Sequence, residues 1–168
     1  MRKIWAPWRI EYIRSAKTKE CIFCQKCNEK RDSQNHILFR GKANFVILNA
    51  YPYNPGHLMV APYRHLADLD SLSDDELFEH FDLVRRSAGA LTEAYKPAGF
   101  NIGINLGRIA GAGVEGHVHT HIVPRWSGDT NFISVVCDTR VIPEALDSTY
   151  AQLANKMARW KTGAKRRE

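Results

Sequence analysis

The chain has 168 residues, 44% of them hydrophobic and 25% charged, with a formal net charge of +6. That is enough chain for one domain with a real core and too little for two comfortable ones, and the composition excludes fibrous, collagen-like and wholly disordered classes. The charge is uneven: residues 1–40 hold ten Lys/Arg against four Asp/Glu and residues 156–168 hold six against one, which leaves −5 between them. Solvated basic ends on an acidic body do not make a duplex-binding surface, so no nucleic-acid partner is expected.

Met1-Arg2-Lys3 is basic, but Trp5-Ala6-Pro7-Trp8-Arg9-Ile10-Glu11 is not the apolar run of a secretion signal, which points to the cytoplasm. Residues 21–40 read as a polar, irregular segment carrying Cys21, Cys24 and Cys27. Residues 45–49 then predict a strand, 51–56 a turn rich in Pro, Asn and Gly, and 57–62 a second strand. The longest uncharged stretch, 43–63, is broken by Asn44, Asn49, Pro52, Asn54, Pro55 and Gly56, so no membrane span is expected. Ser73 with Glu76 forms a capping box ahead of Leu77, Phe81, Val84, Ala88 and Leu91 at helical spacing, predicting a helix over 74–95 with that face on the sheet.

Phe100, Ile102, Ile104 and Leu106 alternate as in a strand, a glycine-rich stretch runs to Gly116, and a further strand is predicted over 118–124. A second amphipathic helix follows Pro143, with Leu146, Tyr150, Leu153, Met157 and Trp160 on one face. This order predicts an α+β domain, an antiparallel sheet of about five strands with two main helices. The chain is expected to divide into an N-terminal segment 1–40, a main domain 41–162 and a basic tail 163–168.

The chemistry lies in His117-Val118-His119-Thr120-His121. Alternation in a strand points the three imidazoles one way and Val118, Thr120 and Ile122 the other. Imidazole is a neutral nucleophile near pH 7, a proton donor once charged, and a metal ligand. In a reducing compartment, closely spaced cysteines read as metal ligands; Cys21/Cys24 and Cys24/Cys27 both have the spacing. Cys137 is alone and reads as a small buried hydrophobe, while His36 and His80 are expected at the surface without a role.

His117-x-His119-x-His121, Pro55-Gly56-His57, the Phe45–Asn49 stretch and Asn105-Leu106-Gly107 together resemble the histidine triad superfamily over about half the chain. The resemblance implies its α+β fold, a homodimer with the two sheets joined, and a nucleotide substrate. His119 matches the nucleophile that attacks an α-phosphate to form a nucleotidyl-histidine, with His121, His57 and His117 as its catalytic companions. Asn49 matches the ribose contact, and Asn105 with backbone amides of the 111–116 stretch, Gly111 and Gly113 among them, matches the phosphate segment. Ile47 and Met59 either offer apolar surface to the base or pack in the core.

The zinc-bearing branch of the superfamily implies a structural Zn2+ held by Cys21, Cys24, His65 and His117. Hydrolysis of dinucleoside polyphosphates is the first reading. Phosphorolysis follows close behind, because Ala112-Gly113-Val114-Glu115-Gly116 lacks the Gln or Ser of the family's hydrolases and is similar to the loop of its phosphorylases, and a nucleotide-binding module with little turnover is the further alternative.

Overall fold

The computed structural model describes residues 21–129 and 144–162; the Trp-rich start at 5–9, Cys137, Pro143 and the 163–168 tail lie outside them. The described chain runs α1 (Ile22–Asn28), the single turn α2 (Asp32–Asn35), β1 (Ile37–Arg40), β2 (Asn44–Leu48), β3 (Leu58–Pro62), α3 (Asp74–Tyr95), β4 (Gly99–Ile104), β5 (Thr120–Arg125) and α4 (Leu146–Met157), with a 3-10 turn at Ala158–Thr162. The strands form one antiparallel sheet in the order β1-β2-β3-β5-β4, giving the expected α+β architecture. No helix among the described residues is long and apolar enough to cross a membrane.

Every residue of β2 and β3 is buried, because both faces of the sheet centre are covered. This is why Phe45-Val46-Ile47-Leu48 and Leu58-Met59-Val60-Ala61 read as continuous apolar runs rather than alternations. One face packs Val46, Leu48, Leu58, Val60 and Ile122 against α3 and α4; the other packs Phe45, Ile47, Met59 and Ala61 under Phe23 and Ile37. Each fully buried side chain of this size contributes about 1.5–3 kcal/mol, so the two layers together hold the sheet.

Helix α3 begins at the predicted capping box: the Ser73 amide donates to the Glu76 carboxylate at 2.8 Å, and the Glu76 amide to the Ser73 hydroxyl at 3.4 Å. Its buried face is rotated from the expected one, however. His80, Leu83, Val84, Ser87, Ala90 and Leu91 face the sheet, while Phe81 is exposed and Phe78 is 79% exposed. Two polar residues on the inner face disguised it. His80, expected at the surface, is therefore fully buried, and His36 is half-buried and reaches Asp147 at 3.2 Å.

The segment expected to be irregular, 21–40, is instead α1, α2 and β1. Neither helix has the length for a periodic signal; tertiary contacts hold them. Phe23 and Ile37 are each 1% exposed in the second apolar layer. The Arg40 guanidinium donates to the carbonyls of Cys27 (2.7 Å) and Glu29 (3.0 Å) and to the Asp32 carboxylate (2.8 Å), closing the end of α1 and joining it to α2.

Candidate functional site

Cross-strand register puts Ile47, Met59, His121 and Gly103 in one row across the sheet, on the face covered by the second apolar layer. His119 and His117 continue the alternation on that side, with 4.8 Å between the His119 and His121 rings. The strand was expected from Val118, but its ladder begins at Thr120, so His117 and His119 stand just before the sheet. They are held there by the Val118 amide donating to the Leu66 carbonyl at 2.6 Å, and by the Phe23 ring, 5.0 Å from His117 and 4.8 Å from His119.

Fixed acceptors determine where each imidazole carries its proton. His119 Nδ1 lies 2.8 Å from the His117 carbonyl, which can only accept, so Nδ1 holds the hydrogen and Nε2 keeps a free lone pair. Burial lowers the pKa of this residue, only partly opposed by that carbonyl, so it is neutral at neutral pH. A neutral imidazole with an unprotonated Nε2 is able to act as a nucleophile.

His57, completely buried, sets the state of His121. Its Nδ1 accepts from the Tyr53 amide at 3.1 Å and from the Asn49 amide nitrogen at 3.3 Å; that nitrogen faces it because Asn49 Oδ1 takes the Tyr51 amide at 2.9 Å. His57 Nε2–H therefore donates to His121 Nδ1 at 2.9 Å, which leaves the His121 proton on Nε2. Burial first, and then neighbouring His119, push the His121 pKa down to about 4, so a neutral imidazole with its proton on Nε2 is favoured.

The Pro-Gly-His turn needs its glycine. Gly56 has φ +75°, and a Cβ there would lie 2.9 Å from Leu91 Cδ2. Asn54 ties the turn to the end of β5, donating to the Pro124 carbonyl and the Asp129 carboxylate at 2.9 Å each, and Asp129 also binds Arg125.

The predicted metal ligands converge. The donor atoms of Cys21, Cys24, His65 and His117 all lie within 4.8 Å of one another. Cys21 caps α1 at its start and Cys24 lies one turn on, so both thiols sit at the same end of the helix. His117 Nε2 donates to the Pro62 carbonyl at 2.8 Å, which frees Nδ1 to face Cys21 Sγ at 3.3 Å and Cys24 Sγ at 3.6 Å. Cys24 Sγ is 3.4 Å from His65 Nδ1.

A tetrahedral ion with ordinary zinc–sulfur and zinc–nitrogen bonds has S···N edges of about 3.6 Å, so the donor set fits one. Burial, then Cys21 beside it, push the Cys24 thiol up to about 11; a divalent cation reverses that preference. Cys27 stands apart from the four ligands, its thiol donating to the Cys24 carbonyl at 3.3 Å.

The remaining candidates are distributed over the central strands and the loop after β4. Ile47 and Met59 are buried in the layer beneath it, Asn49 is half-buried beside His57, and Asn105 is half-buried beyond the end of β4. Gly111 and Gly113 lie exposed in the loop before the triad. The Gly111 amide donates to the Arg108 carbonyl at 3.0 Å.

Sequence reasoning missed Phe23, Tyr53, Asn44 and His80. The Tyr53 ring lies 4.6 Å from that of His57 and 6.0 Å from that of His121. For His80 a signal existed: it shares helical spacing with Leu83, Val84, Ser87 and Leu91.

The HIT domain family matches residues 30–128. The chain is 38% identical over 167 residues to an AP-4-A phosphorylase of Mycobacterium tuberculosis, a match that covers 95% of this chain and 86% of that protein. It is 35% identical over 95 residues to the asymmetrical bis(5'-nucleosyl)-tetraphosphatase of Schizosaccharomyces pombe, covering 56% of this chain and 52% of the relative. Among solved structures, a zinc-bound histidine triad family protein from Mycobacterium smegmatis superposes with a TM-score of 0.68 at 26% identity, over 87% of this chain and 99% of that one. With a family match over more than half its length, the chain belongs to the HIT family.

Proposed function

We propose that this enzyme cleaves dinucleoside polyphosphates at the α-phosphorus through a nucleotidyl-His119 intermediate, with inorganic phosphate as the acceptor. The observation that carries the chemistry is the 2.8 Å contact of His119 Nδ1 with the His117 carbonyl, which leaves Nε2 as a neutral nucleophile. Its lone pair forms a bond to phosphorus, the P–O bond to the rest of the substrate breaks, and the electron pair stays on the departing oxygen. His121 Nε2–H donates to that oxygen as its charge grows. A phosphate oxygen then attacks the same phosphorus and frees His119, so diadenosine tetraphosphate yields ATP and ADP.

His117 acts through its carbonyl, since both its ring nitrogens are engaged. Asn49 takes the ribose, Ile47 and Met59 form the apolar floor under the base, and Asn105, Gly111 and Gly113 line the phosphate chain. The choice of phosphate over water reverses the order drawn from the sequence. It is supported by the near full-length likeness to the mycobacterial phosphorylase, where the likeness to the tetraphosphatase covers 56% of the chain.

Cys21, Cys24, His65 and His117 would hold a Zn2+ with four protein ligands, a structural role that would pin the N-terminal segment to the strand carrying His119. A homodimer joined along β4 is supported by its place at the sheet edge and by exposed Ile102 on it.

The test is incubation with diadenosine tetraphosphate, with and without phosphate, followed by separation of the products. ADP and ATP formed only when phosphate is present support the proposal. AMP and ATP formed regardless of phosphate make the enzyme a hydrolase, and no product from any dinucleoside polyphosphate contradicts both.

A further inference from the structure

On the side of β5 turned away from the triad, His80 meets Thr120. His80 is completely buried; its Nδ1 lies 2.9 Å from Asn44 Oδ1 and its Nε2 2.7 Å from Thr120 Oγ1. The direction of each bond follows from the far end of the chain of contacts. The Glu79 carboxylate accepts the amides of Lys42 (2.6 Å), Ala43 (2.7 Å) and Asn44 (3.0 Å) and lies 3.2 Å from Asn44 Nδ2, which also donates to the Glu76 carbonyl at 3.0 Å. Asn44 therefore presents its oxygen to His80. That puts the imidazole proton on Nδ1 and makes Nε2 an acceptor, so the Thr120 hydroxyl donates to it. Donation runs one way, from Thr120 to His80 to Asn44 to Glu79, and ends on a carboxylate.

Thr120 is also where the sheet stops. It is the first residue of β5, paired with Val60 on one side and Ile104 on the other, and neither register continues past it. His119 is the next residue upstream. Its aim depends on the backbone here, because its Nδ1 is held by the carbonyl of His117 in the same segment. A valine and a leucine would fill the volume of Thr120 and His80 without the cost of burying polar groups, but packing alone would not fix one backbone setting.

We propose that His80 is a positioning residue for nucleotidyl transfer: through the Thr120 hydroxyl it fixes the point at which His119 leaves the sheet. His80 touches no substrate. The inference rests on His119 being the nucleophile, since it concerns how that imidazole is aimed.

The test compares Thr120→Val and Thr120→Ser in the full-length, zinc-loaded protein. Turnover of diadenosine tetraphosphate is measured together with 15N NMR of the His119 ring without substrate. Thr120→Val is expected to lower kcat about tenfold to a hundredfold with KM within about twofold, the signature of a misaimed group rather than lost binding. It also alters the His119 ring signals, and Thr120→Ser restores both readouts.

A Thr120→Val protein with lowered thermal stability but wild-type kcat and wild-type His119 signals overturns the proposal and leaves His80 a structural residue. If the wild type turns over no dinucleoside polyphosphate, the functional reading fails while the ring signals still decide the positioning. Should Thr120→Val not fold, the wild type decides: the proposal requires His80 protonated on Nδ1, and a proton found on Nε2 overturns it.

Discussion

His57 Nε2 lies 2.9 Å from His121 Nδ1, and this contact decides which nitrogen of His121 carries a proton. His57 is itself oriented by the Tyr53 amide and by Asn49, so the turn between β2 and β3 controls the proton position of the proposed leaving-group donor on β5. Replacing His57 with Leu removes the bond and lets His121 present a bare Nε2 to the leaving oxygen. We expect kcat to fall by about a hundredfold with a much smaller change in KM. Steady-state kinetics with 15N NMR of His121 checks this, and an unchanged kcat would rule it out.

Phe23 supports the triad from α1, 1% exposed and within 5.0 Å of both His117 and His119. Phe23→Ala should cost about 3–5 kcal/mol of stability, as large-to-small changes in a packed core do. It should also lower kcat in the fraction that stays folded, because the His119 ring loses its backing. Urea titration and kinetics on the same preparation separate the two effects.

The four-ligand cluster predicts metal content as well as stability. The native protein should carry about one equivalent of zinc per chain, and Cys24→Ser should lose it together with several kcal/mol of stability. Activity should fall with the metal, since His117 both belongs to the four-ligand cluster and holds His119 through its carbonyl. Elemental analysis with a thermal melt tests this; fully active protein without zinc would contradict it.

Burial, then the nearby His119, hold His80 down to about 4 from 6.5. Between those values the unfolded chain binds a proton that the folded protein refuses, so stability rises with pH across the window and falls as pH drops from 6.5 towards 4. The His80 share is about 3 kcal/mol once pH is below both values. Other buried histidines add to the same trend, so the difference between wild type and His80→Gln isolates it. Urea unfolding at pH 7 and near pH 4 should show a larger loss for the wild type.

Much of this was legible from residue order. The capping box at Ser73 and Glu76 marked the start of α3, the runs at 45–49 and 57–62 marked the central hairpin, and alternation around His119 put three imidazoles on one face. What escaped depends on long-range contact. α1 is too short to show a period, yet its helical turn makes Cys21 and Cys24, and not Cys27, share the cluster with His65 and His117. His80 was hidden because a polar residue on a helix reads as solvated until Asn44 and Thr120 are seen on either side of it. The proton positions escaped for the same reason, being set by the carbonyls of His117 and Pro62 and the amide of Tyr53.

The most direct measurement is a rapid alkaline quench of enzyme mixed with dinucleoside polyphosphate labelled at the α-phosphate, followed by peptide mapping. The label should appear in a phosphoramidate bond on the peptide containing His119, and both label and turnover should vanish in His119→Ala. A wild-type enzyme that turns over without ever holding label at this residue, or a His119→Ala protein that turns over normally, would contradict the account at its centre.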